Sequence, residues 1–147
     1  MNSASVIAVL NRLSALHNRS LAVYLADAKP WAPGAGVSEA ALNELRLLAE
    51  AHRNTVARLG KMILDRDGEL MHGHFPLRFA SYHDLSLSFL LGELVVRQEK
   101  LVEQIQECAV ELAGRPLEKA VVEEILGQAK GHLESLREFL QPAHSAD

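Results

Sequence analysis

The stretch DGELMHGHFPLRFASY, residues 67–82, decides how this chain is wound. Gly68, Gly73 and Pro76 interrupt it and no apolar period runs through it, so it reads as an irregular connection. Antiparallel neighbouring helices are usually joined by about two to eight residues. A connection this long spans about 50 Å when extended, enough to carry the chain from one end of a helical bundle back to the other. Phe75, Leu77 and Phe79 are available to pin it to the bundle.

The segments around it are helical by pattern. Apolar residues recur every three or four positions through four long segments, and none sustains the period-2 alternation of a strand. The first covers about residues 5–28, with Leu10, Leu13, His17, Leu21 and Tyr24 on its inner face. Lys29, Pro30, Trp31, Pro33, Gly34 and Gly36 end it. The second, about 38–66, takes Ser38 as its N-cap and carries Leu42, Leu45, Ala49, His52, Val56, Leu59 and Ile63. The third, about 83–113, is capped at His83-Asp84 and has the seam Leu87, Leu91, Leu94, Gln98, Leu101, Ile105, Cys108 and Leu112. Gly114 and Pro116 separate it from the fourth, about 117–140, which turns Val122, Ile125, Ala129, His132, Leu136 and Leu140 inward before Pro142. Two short connections and one long one predict a single all-α domain over residues 1–147: a four-helix bundle whose second and third helices run parallel. The apolar start of the third helix leaves Phe89, Leu90 and Val95 to face the Phe75 loop or a second copy of the chain. Bundles of this type commonly associate through helix faces, so a homo-oligomer, a dimer, is expected.

Composition excludes several function classes. The chain of 147 residues carries a net charge of -4 with its signs dispersed, so it offers no basic face to nucleic acid. Asn11, Arg12 and His17 break the apolar N-terminal run, which lacks the pattern of a signal peptide, and no stretch reaches the roughly 18 apolar residues of a membrane span. The single cysteine, Cys108, lies on an apolar helical face and reads as a buried, unactivated thiol in a reducing, cytoplasmic setting.

His17, His52, Gln98 and His132 each interrupt the apolar stripe of a different helix. If the four helices form one bundle, these side chains meet in one buried layer, where bundles build metal and cofactor sites. Three imidazoles can hold one borderline metal ion such as zinc, copper or nickel, with Gln98, Tyr24 or water completing the set. The same residues can equally form a hydrogen-bonded network with Tyr24 and Thr55.

With this helix layout the chain resembles the ferritin-like superfamily. Members that bind two iron or manganese ions carry a glutamate in the first helix with a tyrosine seven residues on, Glu-x-x-His in the second and fourth helices, and a glutamate in the third. On that pattern His17 stands for the first glutamate and Tyr24 keeps the tyrosine. His52 and Thr55 stand for the second helix's pair, Gln98 for the third helix's glutamate, and Ala129 with His132 for the last pair. Every bridging carboxylate is replaced. Nearby Glu50, Glu93 and Glu134 lie about 140–200° around their helices from the layer, too far to substitute. A di-metal centre of two hard cations needs anionic oxygens that three imidazoles and an amide do not supply. The resemblance therefore implies a ferritin-like bundle with a degenerate di-iron site and a non-catalytic binding or structural role. The alternatives are a single-metal protein, carrier or enzyme, using His17, His52 and His132, and a small-ligand pocket at the same layer.

Lesser features read as follows. His72-Gly73-His74 offers a surface chelate. Asp65-Arg66-Asp67-Gly68-Glu69 begins like a calcium loop but has Leu70 at the sixth position and Pro76 at the twelfth, so it fails as one. Gly127 and Gly131 predict either close helix approach or room for a ligand beside His132.

Overall fold

The computed structural model describes residues 1–29, 39–71, 73–82 and 85–139. Among them are five α-helices and no strand: α1 Ser3–Asn18, α2 Leu21–Ala28, α3 Glu39–Asp65, α4 Leu87–Glu111 and α5 Pro116–Phe139. A short 3₁₀ turn, Leu77–Tyr82, lies in the long connection.

The expected first helix is in fact two. Its apolar spacing continues across residue 20, but Ser20 takes extended backbone angles and its side chain accepts the Val23 amide, which starts a new helix there. An N-cap side chain supplies the partner that a helix's first turn lacks. Asn2 caps α1 in the same way through the Ser5 amide. Ser86, not His83-Asp84, caps α4, accepting from Phe89 at 3.1 Å. The expected stops and caps at Pro30–Ser38, His83-Asp84 and Pro142, with Leu140 and His72, lie outside the described residues.

The buried apolar residues sort into two clusters, and the sorting fixes the chain's course. One holds Val6, Leu10 and Leu13 of α1, Leu59 and Ile63 late in α3, Ile105, Cys108 and Leu112 late in α4, and Val122 and Ile125 early in α5. The other holds Leu21 and Leu25 of α2, Leu45 and Leu48 early in α3, Leu87, Leu91 and Leu94 early in α4, and Leu136 late in α5. α3 and α4 therefore run the same way, α5 runs against them, and the chain passes from the α1 cluster to the α2 cluster in the sense opposite to α3. The main packing pairs are α1 with α3, α2 with α3, and α4 with α5, and α4 and α5 are antiparallel.

The long connection does return the chain along the bundle, held at several points. Asp67, at φ 58°, turns the chain out of α3, and the Gly68 amide donates back to the Ile63 carbonyl at 2.9 Å. A Cβ at Gly68 would lie 2.9 Å from both Ile63 and Ile7 side chains, so only glycine fits between α1 and α3 there. Asn11 then acts as a clamp: its amide donates to the Glu69 carbonyl at 2.8 Å and its oxygen accepts the Met71 amide at 2.9 Å. Phe79 is the buried pin, packing with Tyr24, Phe75 and Tyr82, while Leu77 is 94% exposed and pins nothing. No described helix is long and apolar enough to cross a membrane.

Candidate functional site

Between the two apolar clusters the four helices contribute polar side chains, and His17, His52 and Gln98 are all buried there, at 2%, 5% and 2% exposure. His52 and Gln98 sit where α3 and α4 pass from one cluster to the other, and His17 sits at the end of α1, where the chain crosses into α2. The His17 and His52 rings meet edge to face with centroids 5.1 Å apart. His132 is only half-buried, but it borders with His17, His52 and Thr55 a gap of about 10 Å³. That is roughly the smallest space that holds one water.

Hydrogen bonds orient the layer. His17 Nδ1 lies 2.8 Å from the Leu13 carbonyl one turn back; a carbonyl only accepts, so Nδ1 carries the proton and Nε2 the lone pair. His52 Nδ1 lies 2.7 Å from Ser20 Oγ, the hydroxyl that also accepts the Val23 amide. The assignment that uses the Ser20 proton has it donate to His52 Nδ1, leaving the His52 Nε2–H directed to the Gln98 side. Gln98 in turn donates its amide to the Ala129 carbonyl at 3.1 Å. A polar chain thus runs from the α2 cap through α3 and α4 to α5, and no buried side-chain nitrogen or oxygen among the described residues lacks a partner.

Both buried imidazoles are held neutral. Burial pushes the His17 pKa down to about 4, against a smaller upward pull from the Leu13 carbonyl. Burial likewise carries His52 well below the ordinary histidine value, reinforced by the neighbouring His17 and His132 and opposed by the Gln98 amide.

The expected site residues divide accordingly. His17, His52, Gln98 and His132 do converge. Tyr24 does not: the break at Ser20 re-aims the helix that carries it, and its ring packs against Phe75 and Phe79, with centroids 5.2 Å away in each case. Among the described residues no group of three or more His, Cys, Asp or Glu side chains is arranged to hold a metal ion, and one nitrogen of both His17 and His52 is already engaged. Glu50 and Glu134 are exposed, and Glu93 accepts from the Tyr82 hydroxyl at 3.4 Å. Gly127 and Gly131 are exposed and face open space, so neither close helix approach nor a ligand-sized recess explains them. Cys108 is buried with Arg12 Nη2 3.4 Å from its sulfur, and burial raises its pKa, so it is not an activated thiolate.

Ser20 went unrecognised in the sequence, although a serine in mid-stripe is itself a cap signal. Also unrecognised is a cavity of about 550 Å³ that opens on this layer between α4, the α1–α2 junction and the long connection. Ser20, His52 and Gln98 lie among its lining residues, with Leu16, Leu94 and Phe79 as apolar wall. No family model, curated protein or solved structure matches the chain.

Proposed function

We propose that this protein is a ferritin-like helical bundle without the carboxylates of a di-iron site, and that it serves a non-catalytic binding role at its polar layer. The observation that carries this reading is the layer itself: buried His17, His52 and Gln98, each hydrogen-bonded, with no carboxylate among them, beside a ligand-sized cavity. Ligand pockets commonly enclose about 300–1,000 Å³, with an apolar wall and a few convergent polar groups. The parallel course of α3 and α4, with the long connection between them, supports the ferritin-like assignment. Self-association is part of the proposal, supported by Phe89, Val96 and Val110, which are exposed at heptad-compatible positions along α4.

The single-metal alternative has one observation in its favour, the meeting of His17, His52 and His132 around one gap. Metal analysis of untagged protein, purified and then dialysed against zinc, copper or nickel, separates the readings. The proposal expects less than stoichiometric metal, equally low in a variant with His17, His52 and His132 all changed to glutamine. One metal per chain that disappears in the variant overturns it.

A further inference from the structure

The charges around the cavity identify what it takes. Eight of the chain's 15 lysines and arginines are paired with a carboxylate. Of the seven with no carboxylate partner among the described residues, four line this one cavity: Arg19, Arg78, Arg97 and Lys100. They come from three separate parts of the fold, the α1–α2 junction, the long connection and α4. Glu93 is the one carboxylate among the cavity's lining residues. In a protein of net charge -4 such a concentration is contrary to the average surface.

Arg97 is the most firmly placed of the four. Its guanidinium lies over the Phe79 ring, 5.7 Å from the centroid, and donates to the Tyr82 hydroxyl at 3.3 Å. A planar cation stacked and tethered in this way loses little freedom on binding and presents its remaining N–H groups in a fixed plane. A second feature points to the same chemistry. The cavity wall includes Leu21 and Ala22, the first residues of α2. The first amides of a helix have no helical partner and carry the positive end of its dipole. Ser20 satisfies Val23, and the buried Leu21 and Ala22 amides add the positive end of the α2 dipole to this wall. Deeper in, Ser20, His52 and Gln98 are polar and uncharged, beside the apolar Leu16, Leu94 and Leu101.

Resting on the binding role above, we infer that the cavity binds a small organic anion. Its carboxylate or phosphate lies among Arg19, Arg78, Arg97, Lys100 and the α2 N-terminus, and its apolar part reaches toward the polar layer. The two headgroups share this chemistry, and the probes distinguish them.

Calorimetric titration of the full chain with phenyl phosphate, benzoate and neutral benzyl alcohol tests the inference. One or both anions bind at one per chain, and the Leu21 and Ala22 amide resonances shift on saturation. A variant carrying Arg19→Gln, Arg78→Gln and Lys100→Gln, all exposed side chains whose loss leaves the core intact, binds at least tenfold more weakly while benzyl alcohol is unaffected. Binding of phenyl phosphate alone assigns a phosphomonoester, and of benzoate alone a carboxylate. The inference is overturned if neither anion binds, or if the triple variant binds them as well as the natural chain. Benzyl alcohol binding as tightly as the anions overturns the anionic class but leaves a binding role at the cavity standing.

Discussion

Ser20 uses one hydroxyl for two purposes, ending the run of α1 by capping α2 and fixing the His52 ring across the bundle. Removing a cap costs about 1 kcal/mol, and leaving a buried polar group without its partner costs about another 1–3 kcal/mol. Ser20→Ala is therefore expected to lower the unfolding free energy by about 2–4 kcal/mol in urea titrations, and Ser20→Thr to recover most of it. An unchanged midpoint in the alanine variant would show that the His52 contact contributes nothing. Such an arrangement is hard to read in sequence, because the apolar spacing from Leu13 to Leu21 looks continuous. Only the backbone angles at Arg19 and Ser20 reveal the break, and with it the departure of Tyr24 from the layer.

Among the elements, α5 is the one most open to improvement. Gly127 and Gly131 sit in its interior, exposed, with nothing within 4 Å of an added Cβ. Alanine at such a position stabilises a helix by up to about 1 kcal/mol. Gly127→Ala and Gly131→Ala should each raise the thermal midpoint, roughly additively in the double variant, as followed by circular dichroism at 222 nm. A fall at either would mean that the glycine faces something in the working protein. The bounds of α3 and α5 and the end of α4 were legible because their apolar stripes run many turns, and Pro116 marks a helix start as proline at a first position does, whereas α4 begins four residues later than its pattern suggests. The long connection was legible only as length and composition. Its course depends on tertiary bonds: Asn11 looked like a break in an apolar run and is in fact the clamp that holds residues 69 and 71.

At the scale of the whole molecule the four polar intruders were the part of the candidate site that sequence could supply, since the interruption of a stripe is a local signal. The cavity beside them was not, because its basic residues are scattered from Arg19 to Lys100 and only the fold collects them. Holding the layer neutral has a global consequence for acid stability. His17 binds its proton at about pH 4 when folded and near 6.5 when unfolded, and His52 departs in the same direction. The unfolded chain therefore holds more protons in that window. The contribution of these groups is fully present above about pH 6.5 and declines as pH falls, by up to about 1.4 kcal/mol per pH unit for each histidine. Glu118 adds to the loss at lower pH. Burial raises its pKa, but its own backbone amide, Arg115 and Arg66 outweigh that, so its carboxylate sits below the ordinary value and its contribution disappears as it is protonated. Urea midpoints measured from pH 7 to 4 should fall steadily, and the slope should be shallower in His17→Gln; an identical slope would mean that the imidazole is not held neutral.

The partition of the interior also bears on how the molecule comes apart. The buried apolar residues form two clusters, one half built on α2 and the start of α4 and the other on α1 and the end of α4, joined by the unbroken helices α3, α4 and α5 and by the hydrogen bonds of the layer. Two such halves can open with different free energies, as cooperative units within one chain. The cavity opens on the seam between them and touches Ser20 on one element and Gln98 on another. An occupant there would act as a rivet, making the two halves open together.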